Sequence, residues 1–118
     1  MKKLLAILLT SFTASAGNAS TTILCKYEGG SHVEDGVFQS YPTKGSFTLS
    51  FNEDFVVKTN RSCPKEIENS VTEDAIVLRC MRGEIEAGLL IRRTDGTFSD
   101  TTGIFLNWGS CKKKLNEF

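Results

Sequence analysis

The chain has 118 residues, of which 40% are hydrophobic and 24% are charged, and its 14 basic and 14 acidic side chains give a formal net charge of zero. A chain of this length forms one domain with a modest core. The balanced charge gives no support to nucleic-acid binding, which usually leaves a basic stripe on the surface. The single basic cluster, Lys112 to Lys114, is typical of a solvated tail.

The first twenty residues, "MKKLLAILLTSFTASAGNAS", have the layout of a secretory signal peptide, with two lysines, an apolar run and then small residues. The apolar run is too short for a stable membrane span. We expect cleavage after Ala19, with Ala16 as the alternative. The predicted organisation is a signal peptide over residues 1–19 and a single β domain over residues 20–118. The mature chain would keep 12 basic and 14 acidic side chains and be periplasmic or secreted.

Four cysteines lie beyond the leader, at Cys25, Cys63, Cys80 and Cys111. An even number of cysteines in a small exported domain predicts two disulfides. No Cys-x-x-Cys spacing is present, which argues against a zinc knuckle and a thioredoxin-like centre. Of three pairings we favour Cys63 with Cys80, around one loop and a strand, which leaves Cys25 to join Cys111. A leucine precedes Cys25 where a lipoprotein signal needs a small residue, so we expect no membrane anchor after signal cleavage.

In the first half of the mature chain, alternating apolar and polar residues predict strands. "TTILCKYE" is the first, and the following stretch Gly29–Gly36 is expected to form a loop. "GSFTLSF" is the clearest strand, and "FVVKT" follows a short polar turn, which predicts a hairpin from Gly45 to Thr59. "NRSCPKEIENS" contains turn formers and predicts a loop with one helical turn near Lys65 to Asn69.

The second half predicts strands in "DAIVLRCM" and "EAGLLIRR", which are apolar on both faces, and in "GIFLNWGSC". Asp95-Gly96 predicts a two-residue hairpin loop. This loop would pair Arg93 with Phe98, so that Asp100 lies diagonally from Arg93 and forms an ion pair with it, while Arg92 points to the other face. A three-residue loop would exchange the roles of the two arginines.

The strands and turns recur roughly every eight to twelve residues, and no helical stripe interrupts them. They predict an all-β fold, an antiparallel meander that forms a small sandwich or a partly closed barrel of six to eight strands with two disulfides.

The sequence offers few groups for catalysis. His32, the only histidine, lies in a predicted loop, and no Gly-x-Ser-x-Gly motif accompanies it. Adjacent acidic pairs fall in or next to turns and lack the spacing of a calcium loop. "SDTTGIF" resembles the Asp-Thr-Gly signature of aspartic proteases, but Thr102 interrupts it and no second copy exists. We therefore expect no catalytic residue, no cofactor and no metal site.

Two stretches resemble known groups of exported proteins. "YPTKGS", Tyr41 to Ser46, resembles a Lys-Gly element of periplasmic lysozyme inhibitors, which are small disulfide-linked β-barrels. "LLIRRTDGTF" followed by "WGSC" resembles a pattern in small exported, disulfide-containing bacterial envelope proteins of unknown function, over the last third of the chain. The second resemblance implies a β-rich envelope protein without assigned chemistry.

These observations predict a non-enzymatic exported protein that binds another envelope or extracellular protein. The candidate contact residues are His32, Tyr41 and Lys44. The alternatives are a small envelope hydrolase, a periplasmic inhibitor of a hydrolase such as lysozyme, or an assembly role in which an edge strand pairs with a partner.

Overall fold

A computed structural model of the protein describes residues 20–113, which form nine strands. The strands are β1 (Thr21–Glu34), β2 (Val37–Tyr41), β3 (Ser46–Phe51), β4 (Val56–Thr59), β5 (Lys65–Val71), β6 (Ala75–Arg82), β7 (Ile85–Arg92), β8 (Thr97–Thr102) and β9 (Phe105–Lys113). The predicted signal peptide lies outside the described residues, as does the end of the basic tail. Residues 20–113 contain no helix long and apolar enough to cross a membrane.

Eight of these strands form one antiparallel, nearly closed barrel in the order β4-β3-β1-β9-β8-β7-β6-β5. The ninth strand, β2, pairs with β1 alone. Because β1 is long, its first half pairs with β3 and its second half with β2 along the same side. The all-β class and the partly closed barrel are therefore confirmed, and the sandwich is not formed.

The barrel closes between β4 and β5 through a side chain rather than through a regular ladder. The amide nitrogen of Asn69 donates to the carbonyl oxygen of Val56 at 2.9 Å, and the amide oxygen of Asn69 accepts from the Val56 N–H at 2.6 Å. The Val71 N–H adds a bond to the carbonyl of Asp54. The Asn69 amide thus takes the place of a peptide group from a neighbouring strand, which satisfies backbone groups that an open edge would expose.

The core lies inside the barrel and follows the alternation of the strands. In β3 the side chains of Phe47, Leu49 and Phe51 are buried, as their spacing predicts, while the hydroxyl residues between them are only half-buried. Buried and partly buried side chains also alternate along β6 and β7, because the second apolar face of these strands is only partly covered. Burying an apolar side chain of this size stabilises the fold by about 1.5–3 kcal/mol.

Both predicted disulfides are confirmed. Cys25 and Cys111 are direct partners in the β1–β9 ladder, and Cys63 joins the segment before β5 to Cys80 in β6. The first disulfide ties the N-terminal strand to the C-terminal strand. Two disulfides with no free cysteine among residues 20–113 indicate an oxidising, extracytoplasmic environment.

Two predicted loops are wrong. Residues 29–34 continue β1, where a bulge at Glu28 shifts the register and pairing with β2 and β9 holds the chain extended. A Cβ atom at Gly30 would collide with the side chains of Asn107, Thr43 and Tyr41, so this glycine makes room for close packing rather than for a turn. The predicted helical turn is strand β5, whose pairing with β6 overrides its turn-forming composition.

The hairpin at Asp95-Gly96 forms, but its loop is longer than predicted. Residues 93–96 connect the strands, and Ile91 rather than Arg93 pairs with Phe98. The Asp95 carboxylate accepts the Thr97 N–H, and this hydrogen bond holds the pKa of Asp95 below its usual value. Asp95 therefore shapes the turn, as its position in the sequence indicates.

The ion pair between Arg93 and Asp100 is a wrong prediction. Arg93 instead donates to the carbonyl oxygen of Thr72 at 2.6 Å, and its guanidinium lies 5.0 Å from the centre of the Phe51 ring. Arg92 donates to Thr97, so the two arginines are kept apart, as expected. The longer loop removes Arg93 from the ladder and leaves Asp100 facing the barrel interior.

Candidate functional site

The hydrogen-bonded polar side chains on the inner face of the barrel lie towards one of its ends. The turns at Asp35–Gly36, Gly83–Glu84 and Gly103–Ile104 all lie at this end, because the ladders align His32 with Phe105 and Thr102 with the start of β7. We call it the upper end. The lower end carries the turns at 52–55, 72–74 and 93–96.

A hydrogen-bonded group caps the apolar core on its upper side, and we call Tyr27, Arg61 and Asp100 the buried triad. The two guanidinium nitrogens of Arg61 donate to the two carboxylate oxygens of Asp100 at 2.7 and 3.1 Å, and the Tyr27 hydroxyl donates to Oδ2 at 2.7 Å. The Arg61 and Asp100 side chains are 10% and 6% exposed. The guanidinium also lies 4.9 Å from the centre of the Phe47 ring.

The electrostatics of the buried triad favour a fixed ion pair. Burial and then the hydrogen bond and charge of Asp100 raise the pKa of Tyr27 to about 12. Burial lowers the pKa of Arg61, but the hydrogen bonds and charge of Asp100 outweigh it, and the net shift is upward. Both Asp100 oxygens are occupied, so this carboxylate is poorly placed to act as a base. The triad anchors the segment before β5 across the barrel.

Above the triad, on the same face, lies the aromatic cluster of His32, Tyr41 and Phe105. Asn107 is the ladder partner of Asp100, and its side-chain oxygen accepts the Tyr41 hydroxyl at 2.7 Å. The His32 ring lies 5.5 Å from the ring of Tyr41 and 5.5 Å from that of Phe105. The tyrosine and phenylalanine rings meet edge to face at 6.3 Å.

The structure thus brings His32 and Tyr41 together, although they belong to β1 and β2 rather than to loops. Lys44 lies exposed in the segment 42–45, which links β2 to β3, and makes no hydrogen bond with either of them within the described residues. The Thr43 hydroxyl lies 3.3 Å from the Asn107 oxygen and holds this segment against the barrel. His32 and Tyr41 therefore pack together, and Lys44 lies exposed in the adjoining segment without bonding to them.

The surroundings of His32 determine which chemistry its ring can perform. The Nε2 atom of His32 lies 3.5 Å from a carboxylate oxygen of the exposed Glu34, a long contact by the standards of hydrogen bonds. His32 Nδ1 is buried without a partner within residues 20–113, and no serine there bonds to the ring. The described residues also contain no group of three or more His, Cys, Asp or Glu side chains placed to hold a metal ion.

Exposed apolar side chains concentrate at the upper end, and we call five of them the apolar rim: Val37, Phe38, Ile85, Ile104 and Phe105. Each follows a turn glycine by one or two residues, a place where hairpins usually carry polar residues. This pattern is visible in the sequence and could have identified the rim. The buried triad could not have been identified in this way, because Arg61 and Asp100 are 39 residues apart.

Comparison with protein-family models, with curated proteins and with solved structures finds no match to this chain.

Proposed function

We propose that this protein is an exported, non-enzymatic binding protein that contacts another envelope or extracellular protein through its upper end. The apolar rim is the observation that carries this proposal. Five large apolar side chains share one end of a small barrel, and one of them, Phe105, is also part of the aromatic cluster. Such concentrations of exposed apolar surface, accompanied by polar groups, mark protein-binding sites.

The scaffold behind the rim supports binding because it limits the entropy lost on association. The disulfide between Cys63 and Cys80 and the buried triad hold the segment 60–64 at the upper end. The disulfide between Cys25 and Cys111 fixes β1 to β9, the strands that carry His32 and Phe105 of the aromatic cluster. A preorganised surface loses less freedom on binding, so more of its contact energy becomes affinity.

The proposed location of the protein is the periplasm or the cell exterior. The basic, apolar and small-residue order at the N-terminus supports export. A partner would then be an envelope protein or a protein outside the cell.

A second function, inhibition of a hydrolase such as lysozyme, has one supporting observation. Lys44 projects from a short exposed segment that is held at both ends. The Tyr41 hydroxyl bonds to Asn107, and the carbonyl of Gly45 accepts the Tyr27 N–H at 3.1 Å. A braced loop of this kind suits insertion into an enzyme cleft. Loss of lysozyme activity on adding the purified protein, and its recovery with Lys44→Ala, would favour this function over the first.

The leading proposal is tested by affinity capture of partners from envelope extract on the oxidised protein, followed by cross-linking and measurement of the affinity for each captured protein. We expect Ile104→Lys to weaken that affinity about tenfold or more, because it places a charge in the apolar rim. The substitutions His32→Ala, Tyr41→Phe and Lys44→Ala test the aromatic cluster and the adjoining lysine.

The matched control is Val57→Lys, which places the same charge on β4 at a valine that is 47% exposed but lies away from the rim. Equal affinities for Ile104→Lys, Val57→Lys and the unsubstituted protein would show that the partner binds elsewhere. Circular dichroism checks that each variant keeps its β structure.

A further inference from the structure

The strand β2 presents an unprotected sheet edge. It pairs with β1 on one side, and no strand among residues 20–113 pairs with its other side. Its sequence, "VFQSY", contains no charge and no proline, and Phe38 is 74% exposed. Edge strands of soluble proteins normally carry charges, prolines or a cover that prevents pairing. The absence of such protection within β2 indicates a strand that is used for pairing.

The turn before β2 determines which backbone groups face outward. Asp35 and Gly36 have φ angles of 54° and 77°, as in a two-residue type I′ hairpin. In such a hairpin the flanking residues, Glu34 and Val37, form a hydrogen-bonded pair, and hydrogen-bonded pairs then alternate along the ladder. The N–H and C=O groups of Phe38 therefore point away from β1, and those of Ser40 do the same.

We propose that a second copy of this chain pairs with this edge, β2 against β2, in antiparallel orientation about a two-fold axis at Gln39. In this register Phe38 of each copy lies opposite Ser40 of the other. All the outward N–H and C=O groups of these two residues then find partners. The two sheets continue across the interface, and the same surface serves both copies.

The neighbouring registers are unfavourable. Centring the pair on Ser40 would place Phe38 opposite Pro42, which has no N–H to donate. Centring it on Phe38 would place Ser40 opposite Gly36, which the hairpin turn holds at positive φ. The register centred on Gln39 avoids both.

The charges at the two ends of β2 favour a second copy over an unrelated extended peptide. The turn end carries Glu34 and Asp35, and the opposite end leads into Lys44, all at exposed positions. Antiparallel self-pairing brings the acidic end of each copy towards the lysine end of the other, twice per dimer. Such complementarity fixes orientation as well as partner choice. Strands of this length bury little surface, so the dimer is expected to be concentration-dependent.

Sedimentation velocity of the oxidised exported protein from micromolar to millimolar concentration is the primary test. We expect a shift from monomer to dimer, and we expect Ser40→Pro to weaken dimerisation about tenfold or more because it removes one outward N–H from each copy. The matched control, Ser40→Ala, keeps that N–H and should dimerise like the unsubstituted protein. Circular dichroism verifies that both variants fold.

Charge reversal provides a second measurement. Lys44→Glu alone and Glu34→Lys alone should each weaken the dimer, while the double variant should restore it. A monomer at all concentrations would overturn the proposal. Undiminished dimerisation of Ser40→Pro, or failure of the double variant to recover, would also overturn it. Ile104→Lys should leave dimerisation unchanged, because Ile104 belongs to the part of the apolar rim that lies outside β2.

Discussion

The lower and upper parts of the barrel are built from the same strands but differ in what those strands enclose. The lower part is filled with apolar side chains, such as Leu49, Ile76 and Ile91, which are almost completely buried. The upper part holds the buried triad and the aromatic cluster, and the apolar rim around it is exposed. The apolar interior of the lower part therefore provides most of the driving force for folding, whereas the upper end carries the groups suited to binding.

The largest expected effect comes from the disulfide that ties the first strand to the last. Cys25 and Cys111 are 86 residues apart, and the chain-entropy model assigns such a link about 4.5 kcal/mol. The 17-residue separation of Cys63 and Cys80 corresponds to about 3 kcal/mol. We expect Cys25→Ala/Cys111→Ala to lower the free energy of unfolding, measured in urea, by more than Cys63→Ala/Cys80→Ala does.

A larger loss of stability in Cys63→Ala/Cys80→Ala would point to a second role for that disulfide. It would mean that the Cys63–Cys80 link also maintains the buried triad, because it holds the segment that contains Arg61. A nuclear magnetic resonance spectrum of each variant would then show the affected residues.

The next effect concerns the buried triad. Asp100→Ala should lower the free energy of unfolding by about 4 kcal/mol, because it leaves the Arg61 charge buried without its partner. Arg61→Met/Asp100→Leu removes both charges and should recover a substantial part of this loss. Urea denaturation measures both variants. If Asp100→Ala had little effect, the upper end would not be closed by this ion pair, and the contrast with the apolar lower part would fail.

The smallest effect is a dependence on high pH. Tyr27 has a pKa of about 12 in the folded protein against 10.0 without the fold, so the unfolded chain loses this proton first. The contribution of Tyr27 to the free energy of unfolding is fully present below about pH 10. It declines towards pH 12, by roughly 1 to 2 kcal/mol for this half-buried hydroxyl. Tyr27→Phe should flatten this decline.

Tyr41→Phe is the matched control for that measurement, because it removes the only other tyrosine hydroxyl and leaves the buried triad intact. The difference between the two variants in denaturation across this pH window isolates the contribution of Tyr27. Identical curves would show that the triad does not retain the tyrosine proton.

Part of the candidate site follows from residue types alone, and part does not. His32 and Tyr41 are conspicuous because they are the only histidine and one of two tyrosines, and the structure places their rings together. The predicted loop around His32 is wrong, because Gly29 and Gly30 suggest a loop until their neighbours in β2 and β9 are known. The predicted ion pair between Arg93 and Asp100 is also wrong, because a difference of two residues in the length of the hairpin loop changes the cross-strand partner.

Local sequence features predict the β class and the β3–β4 hairpin, and the number and placement of the cysteines favour a disulfide pairing; the structure confirms all three. These features depend on alternation and turn chemistry within a few residues. Three features depend on tertiary contacts: β5 is a strand, Asn69 closes the barrel and Arg61 contacts Asp100. The turn-forming composition of β5 hides its pairing with β6. The contacts of Asn69 with Val56 and of Arg61 with Asp100 join strands and segments that no local pattern places side by side.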